Sequence, residues 1–304
     1  MRPRAISFAA ALTVLTVLVL PLAFSGCANG LFYQPDGLPR AQLKQAQLDQ
    51  SIPHEVVTLR AADGSRLNGW FLHGQGSVKA TIVFLHGNAG NLTVHIPFVA
   101  WLPAQGYNVL AIDYRGYGLS EGKPTRQHVL EDARTAYGYA RTRADVDPDR
   151  LILLGLSLGG ANAIALAGRE RLPGLCAVIA DSAFSSYRRI AAEKVAEFPY
   201  GLNVVLYSVR NRLVTDELSP IDLVDRIAPV PLLLISGEAD EVVPESHSTL
   251  LFARAHDPKL LWRIHGAGHI EALGRFRAQI APALLQFLGS AVSGASVASG
   301  TVDW

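Results

Sequence analysis

The sequence predicts an α/β fold: a doubly wound, mostly parallel sheet with an antiparallel start and a small helical cap. Three observations carry that prediction. Short, unbroken apolar runs recur along the chain, each of the kind that forms a strand buried on both faces. Helical stretches alternate with these runs, as the crossovers of a parallel sheet require. Several runs end in Gly-rich turns that lead straight into helices, where such sheets bind ligands.

The elements follow in order. Residues 1–26 read as an export signal: Arg2 and Arg4 precede an uncharged apolar segment from Ala5 to Phe24, then Ser25-Gly26-Cys27. An uncleaved helix is the alternative, since about twenty apolar residues can span a bilayer. Both readings tether the body to a membrane on the outer side. Residues 27–53 are a polar, Gln-rich tether, and one domain is expected over residues 54–289.

That domain opens with a hairpin, Glu55-Val-Val-Thr-Leu59 and Leu67-Asn-Gly-Trp-Phe-Leu72, turning at Ala62-Asp-Gly64. Buried strands follow at Ala80-Thr-Ile-Val-Phe-Leu85 and Tyr107-Asn-Val-Leu-Ala-Ile-Asp113, with a helix expected between them toward Leu102. Another helix is expected over residues 126–143. The central strand Leu151-Ile-Leu-Leu runs into Gly155-Leu156-Ser157-Leu158-Gly159 and a helix of small residues. Strands ending at Asp181, at Val230-Pro-Leu-Leu-Leu-Ile-Ser236 and at Leu260-Leu-Trp-Arg-Ile264 complete the sheet, before a last helix over residues 273–288. Segment 185–218 suits the small cap, and residues 290–304 read as a flexible tail of small residues.

Charge narrows the function classes. Without residues 1–26 the balance is 25 basic to 26 acidic side chains, so no electrostatic case exists for nucleic acid or strongly anionic lipid. Two cysteines make no disulfide framework; Cys176 sits in a strand-like run and reads as a small buried hydrophobe. The loop His86-Gly-Asn-Ala-Gly-Asn91 lacks the glycine spacing and the Lys-Ser/Thr of phosphate-binding loops. No metal spacing is present and no cofactor is expected.

Chemistry concentrates at the strand ends. Ser157 lies at a strand-to-helix turn with glycines two positions on either side, which leaves its hydroxyl exposed at the sheet edge. A serine needs a base, and the base needs a carboxylate to fix its tautomer. His269, in a Gly-flanked loop past the last strand, is the base candidate; His247 and His256 are expected to be solvated, and His265 packed or hydrogen-bonded. Asp240 is the acid candidate and gives the chain order Ser, Asp, His. Asp181 is the alternative. The backbone amides of Asn88 and Leu158 are the candidate oxyanion donors. Asp113 and Arg115 are read as an internal charge pair anchoring a turn, and Tyr187, Phe198, Tyr200, Leu202 and Tyr207 as cap residues that line an acyl pocket or pack the cap.

Those motifs, His86-Gly-Asn-Ala-Gly-Asn91, Asp113-Tyr-Arg-Gly-Tyr-Gly118, Gly155-Leu-Ser-Leu-Gly159 and Gly237-Glu-Ala-Asp240, resemble in order those of the α/β-hydrolases over residues 55–289. The first two resemble the membrane-associated depalmitoylase-like branch and the serine-aminopeptidase-like hydrolases. Phe24-Ser-Gly-Cys27 resembles the lipobox of bacterial lipoproteins, which implies lipidation at Cys27. The resemblance implies Ser157 as nucleophile, Asp240 as acid, His269 as base, Asn88 and Leu158 as oxyanion donors, and no cofactor. The expected activity is cleavage of carboxylic ester or thioester bonds of a small-molecule or lipid-like acyl substrate at the cell envelope. An aminopeptidase-like amidase is the enzymatic alternative, with Glu238 or Asp181 as its only obvious amine-binding carboxylates. A catalytically inactive lipoprotein scaffold is the alternative from outside enzymology.

Overall fold

The computed structural model describes residues 32–35, 42–43, 51–196 and 214–304. The export signal, Cys27, most of the tether and the cap residues Phe198, Tyr200, Leu202 and Tyr207 lie outside the described residues. Two compact units divide the chain, Met1–Tyr33 with Tyr187–Glu217, and Gln34–Ser186 with Leu218–Trp304.

The larger unit begins with β1 (Gln34–Pro35), a two-residue strand. Next come β2 (Glu55–Arg60) and β3 (Arg66–Leu72), antiparallel as the Asp-Gly turn predicts. β2 alternates exposed and buried positions along its second half, while β3 buries Trp70, Phe71 and Leu72 almost completely. β4 (Ala80–Leu85) is buried at every position and leads to a second short strand, β5 (Ala89–Gly90), which pairs in parallel with β1. β6 (Tyr107–Ile112) and β7 (Leu151–Leu156) are buried throughout. Beyond them lie β8 (Leu175–Asp181), β9 (Leu232–Gly237), β10 (Lys259–Ile264) and β11 (Gly300–Asp303).

Nine strands form one sheet in the order β11-β10-β9-β8-β7-β4-β6-β3-β2. Among the described residues only the β2–β3 and β3–β6 pairs are antiparallel. The fully apolar strands occupy the centre because both their faces are covered, the expected fate of runs with no polar alternation. The doubly wound α/β prediction holds.

The helices differ from expectation in two places, the last helix running over Arg277–Ser293 rather than 273–288. The helix expected toward Leu102 is only one turn, α1 (Leu92–His95), capped by the Asn91 side chain and followed by two 3-10 turns, Ile96–Phe98 and Leu102–Gln105. Pro97 and Pro103 stand at the starts of those turns, where a missing N–H costs nothing but a longer α-helix is interrupted. α2 (Arg126–Thr142) starts at Thr125, whose hydroxyl accepts from the amide of His128. α3 (Leu158–Arg169) follows the Ser157 turn, or elbow, and is buried almost throughout.

In the smaller unit, α4 (Tyr187–Ala196) is the described helical part of the expected cap. The Tyr187 ring meets Phe32 edge-on with centroids 5.0 Å apart, and the Arg188 amide donates to Asp216 Oδ1. In the larger unit, α5 (Ser246–Arg254) and α6 (Arg277–Ser293) complete the fold.

Two expectations about the chain ends need correction. The tail is not a flexible extension: Gly300–Asp303 pairs in parallel with β10 as its outer neighbour. The Trp304 amide donates to the Arg263 carbonyl, and its ring packs on Trp262 with centroids 5.4 Å apart. Without β11, β10 would be an edge with unpaired backbone groups, which another strand satisfies. The tether, likewise, is not spacer alone, because Gln34–Pro35 is paired to Ala89–Gly90.

Candidate active site

Parallel strands deliver their C-terminal ends to one edge, and the chemistry-bearing residues follow. Between β7 and α3 the chain turns so sharply that Ser157 adopts φ 52° and ψ −113°. A non-glycine residue there carries strain of about 1–3 kcal/mol. The flanking glycines make the turn possible: a Cβ on Gly155 would stand 2.2 Å from the Gly159 carbonyl carbon. A Cβ on Gly159 would stand 1.9 Å from the Leu85 carbonyl oxygen and 2.7 Å from that of His86. The start of α3, Leu158 included, therefore lies directly against the β4 end that leads to Asn88. The two candidate oxyanion segments are neighbours.

The acid and base meet. The Asp240 loop leaves β9, and the His269 loop leaves β10, its neighbour in the sheet. Gly237 allows the loops to touch, since a Cβ there would lie 2.3 Å from the Ala267 carbonyl oxygen. His269 Nδ1 donates to Asp240 Oδ2 at 2.8 Å, and Asp240 Oδ1 accepts from the amides of Val242 and Val243, both at 2.8 Å. The carboxylate is almost fully buried and the imidazole only partly so. This arrangement holds the Nδ1–H tautomer and leaves Nε2 to take a proton.

Asp181, the alternative acid, occupies a different position. It is fully buried at the end of β8, and burial pushes its carboxyl up to about 7. Its main-chain carbonyl accepts from the Ser157 amide at 2.8 Å. Its Oδ1 accepts from the Ser182 hydroxyl at 3.1 Å, and Ser182 Oγ accepts from the Ile270 amide at 3.0 Å. Ser182 and Ile270 both hold positive φ, 55° and 54°. The Asp181–Ser182 dipeptide thus touches the Ser157 turn on one side and the His269 loop on the other. Ser182 was missed in the sequence; the one available signal was a polar pair immediately past a buried strand.

The remaining histidines sort themselves by burial. His256 is exposed as expected. His247 is not solvated: it is fully buried, and its Nδ1 accepts from the amide of Ser185 at 2.9 Å. Its helix turns that position inward, a matter of helix phase that the mixed-polar composition hid. His265 is exposed and paired with the Glu238 carboxylate rather than packed. His86 and His95, in and just after the candidate oxyanion segment, stack with centroids 5.5 Å apart. Burial lowers the basicity of both, His86 to about 3.

The Asp113-Tyr-Arg-Gly-Tyr-Gly118 turn is anchored, but not by the expected Asp113–Arg115 pair: the two side chains bind different partners. Arg115, fully buried, binds Asp132 and Asp63 at 2.7 Å and Glu131 at 2.9 Å. Asp113 accepts from the Asn68 side chain at 2.9 Å and from the Leu92 amide at 2.8 Å. Among the described residues no cluster of His, Cys, Asp and Glu is arranged to hold a metal ion. No described helix is long and apolar enough to cross a membrane.

Comparison with known proteins follows the same lines. A family model described as "Serine aminopeptidase, S33" matches residues 76–226, which include the Asn88 loop and the Ser157 turn. Protein YfhR of Escherichia coli K12 is 40% identical over 222 residues, 72% of this chain and 74% of YfhR. Rv2307c of Mycobacterium tuberculosis H37Rv is 35% identical over 216 residues, 70% of this chain and 71% of its own. Bem46 of Schizosaccharomyces pombe is 28% identical over 243 residues. Among solved structures, the Pyrococcus furiosus esterase Pf2001 superposes with a TM-score of 0.65 at 22% identity, over 84% of this chain and 96% of its own. The α/β hydrolase GrgF from Penicillium gives 0.64 at 20% identity, over 79% and 99%. At such identities the structural likeness is one of fold. With the identity and coverage shared with YfhR, it follows that this chain belongs to the YfhR-like family of the α/β-hydrolase superfamily, and its residues 76–226 are similar to the serine aminopeptidase S33 model.

Proposed function

We propose that the protein is a membrane-tethered serine hydrolase that cleaves carboxylic ester or thioester bonds through an acyl-enzyme. The single observation that carries this reading is the hydrogen bond from His269 Nδ1 to Asp240, in a fold that sets Ser157 on a strained strand-to-helix turn. Ser157 Oγ attacks the acyl carbon while His269 Nε2 takes the hydroxyl proton, giving a tetrahedral oxyanion held by the amides of Asn88 and Leu158. The bond to the leaving group breaks, and His269 returns the proton to it. Water then repeats the sequence on the acyl-enzyme and releases the acid. Asp240 stays ionised and steadies the imidazolium.

The aminopeptidase-like alternative needs a carboxylate facing a free amine. Glu238 is paired with His265, and Asp181 is fully buried. Both observations favour the ester or thioester substrate. In this reading the protein is exported by residues 1–26 and lipidated at Cys27, as the sequence leads one to expect, and acts at the cell envelope on lipid-like acyl groups.

The test is labelling of wild type and Ser157→Ala with a fluorophosphonate, followed by p-nitrophenyl esters from acetate to palmitate. Labelling that depends on Ser157 is the expected result, and the chain-length optimum sizes the acyl pocket. Folded wild type that does not label leaves the scaffold alternative in its place.

A further inference from the structure

We propose that Tyr117 and the tether residue Gln34 are positioning residues of the oxyanion loop, joined at the side chain of Asn88. This inference rests on the serine-hydrolase reading. Three segments far apart in sequence meet at one atom. Asn88 Oδ1 accepts from the Gln34 amide at 2.9 Å and from the Tyr117 hydroxyl at 3.1 Å, and the Gln34 amide also reaches the Tyr117 oxygen at 3.1 Å. Beside this node, Gln34 and Pro35 pair in register with Ala89 and Gly90.

The rest of the Tyr117 turn grips the same loop. The Tyr114 hydroxyl donates to the His86 carbonyl at 3.1 Å, and Asp113 accepts from the Leu92 amide at 2.8 Å. Both tyrosine side chains are fully buried. The loop from His86 to Leu92 is therefore held at both ends and in its middle by one neighbouring turn, and on its outer side by the tether. A Gly-containing loop such as Gly87-Asn88-Ala89-Gly90 has wide backbone freedom of its own. An oxyanion donor must nonetheless be preset, because reorientation during reaction would consume the stabilisation it provides. The turn and tether supply that presetting. Tethering at the membrane and the geometry of the active site then share one segment of chain.

The experiment uses the full-length protein in detergent and compares Tyr117→Phe, Gln34→Pro and their combination. Tyr117→Phe keeps the buried ring and removes the hydroxyl, while Gln34→Pro removes the donating N–H. The expected result is a fall in kcat of about 10-fold for each, with KM and Tm near wild type, as for misplacement rather than loss of a binding group. The combined variant should be no slower than the slower single, because both act through Asn88. Gln34→Ala, which keeps the amide, should restore the rate lost in Gln34→Pro. Wild-type kcat in both single variants, or a fall that merely follows a loss of folded protein, overturns the inference alone. Wild type that fails to label with a fluorophosphonate overturns the hydrolase reading, and this inference with it.

Discussion

The His269 imidazole donates from Nδ1 to Asp240 Oδ2 at 2.8 Å, while the Asp181 carboxyl is linked to the same loop through Ser182 Oγ, which accepts from the Ile270 amide. Two carboxyl groups thus serve one histidine loop in different ways. One orients the ring directly, and the other braces the backbone beside it.

That difference predicts opposite outcomes for isosteric amides. Asp240→Asn should lower kcat by about 10⁴-fold, since the amide no longer fixes the reactive tautomer. Asp181→Asn keeps an oxygen acceptor for Ser182 and should leave kcat within about tenfold. Steady-state kinetics on one ester decides it, and the reverse ranking would make Asp181 the catalytic acid.

Gly159 should tolerate no side chain. A Cβ there would sit 1.9 Å from the Leu85 carbonyl oxygen, a backbone atom with no room to yield. Gly159→Ala should cost about 1–3 kcal/mol, as overpacking does, and should move the elbow away from the oxyanion loop. Thermal unfolding and fluorophosphonate labelling should both fall; an unchanged Tm would contradict the packing.

Stability against pH should show two opposed contributions. The folded state holds His86 neutral down to about 3, whereas the unfolded chain takes up that proton below about 6.5. Stability from this group is therefore lost as pH falls below about 6.5. Asp181 works the other way: folded, it keeps its proton up to about 7, while the unfolded chain releases it near 3.8, so stability is lost as pH rises through that window. Each slope is at most about 1.4 kcal/mol per pH unit, and the two offset each other between about pH 4 and 6.5. Asp181→Asn should raise stability at neutral pH and steepen the loss on acidification. Denaturant melts across that range would show it, and parallel curves for the two proteins would refute it.

The C-terminal strand should matter for folding and not for chemistry. Removing residues 300–304 uncovers the β10 edge and the Trp262 face. The truncated protein should unfold at lower denaturant and aggregate more readily. Its specific activity per folded molecule should match that of the full chain. Active-site titration with a fluorophosphonate separates the two quantities.

The alternation of apolar runs with helical stretches was enough to foresee a parallel sheet, because strands buried on both faces leave no other composition open to them. The glycines around Ser157, and the order of Ser157, Asp240 and His269, were legible for a similar reason. Tight turns at strand ends admit few residue types. What escaped the sequence lay in contacts between distant segments. His247 turns inward by the phase of its helix, the tail finds an open edge on β10, and Gln34 reaches Asn88 and Tyr117. Local patterns report what each segment buries, and so determined the fold class and the candidate triad. Only the tertiary structure decided which acid faces His269 and what holds the loop from His86 to Leu92, because hydrogen bonds select partners by distance and direction that no single segment encodes.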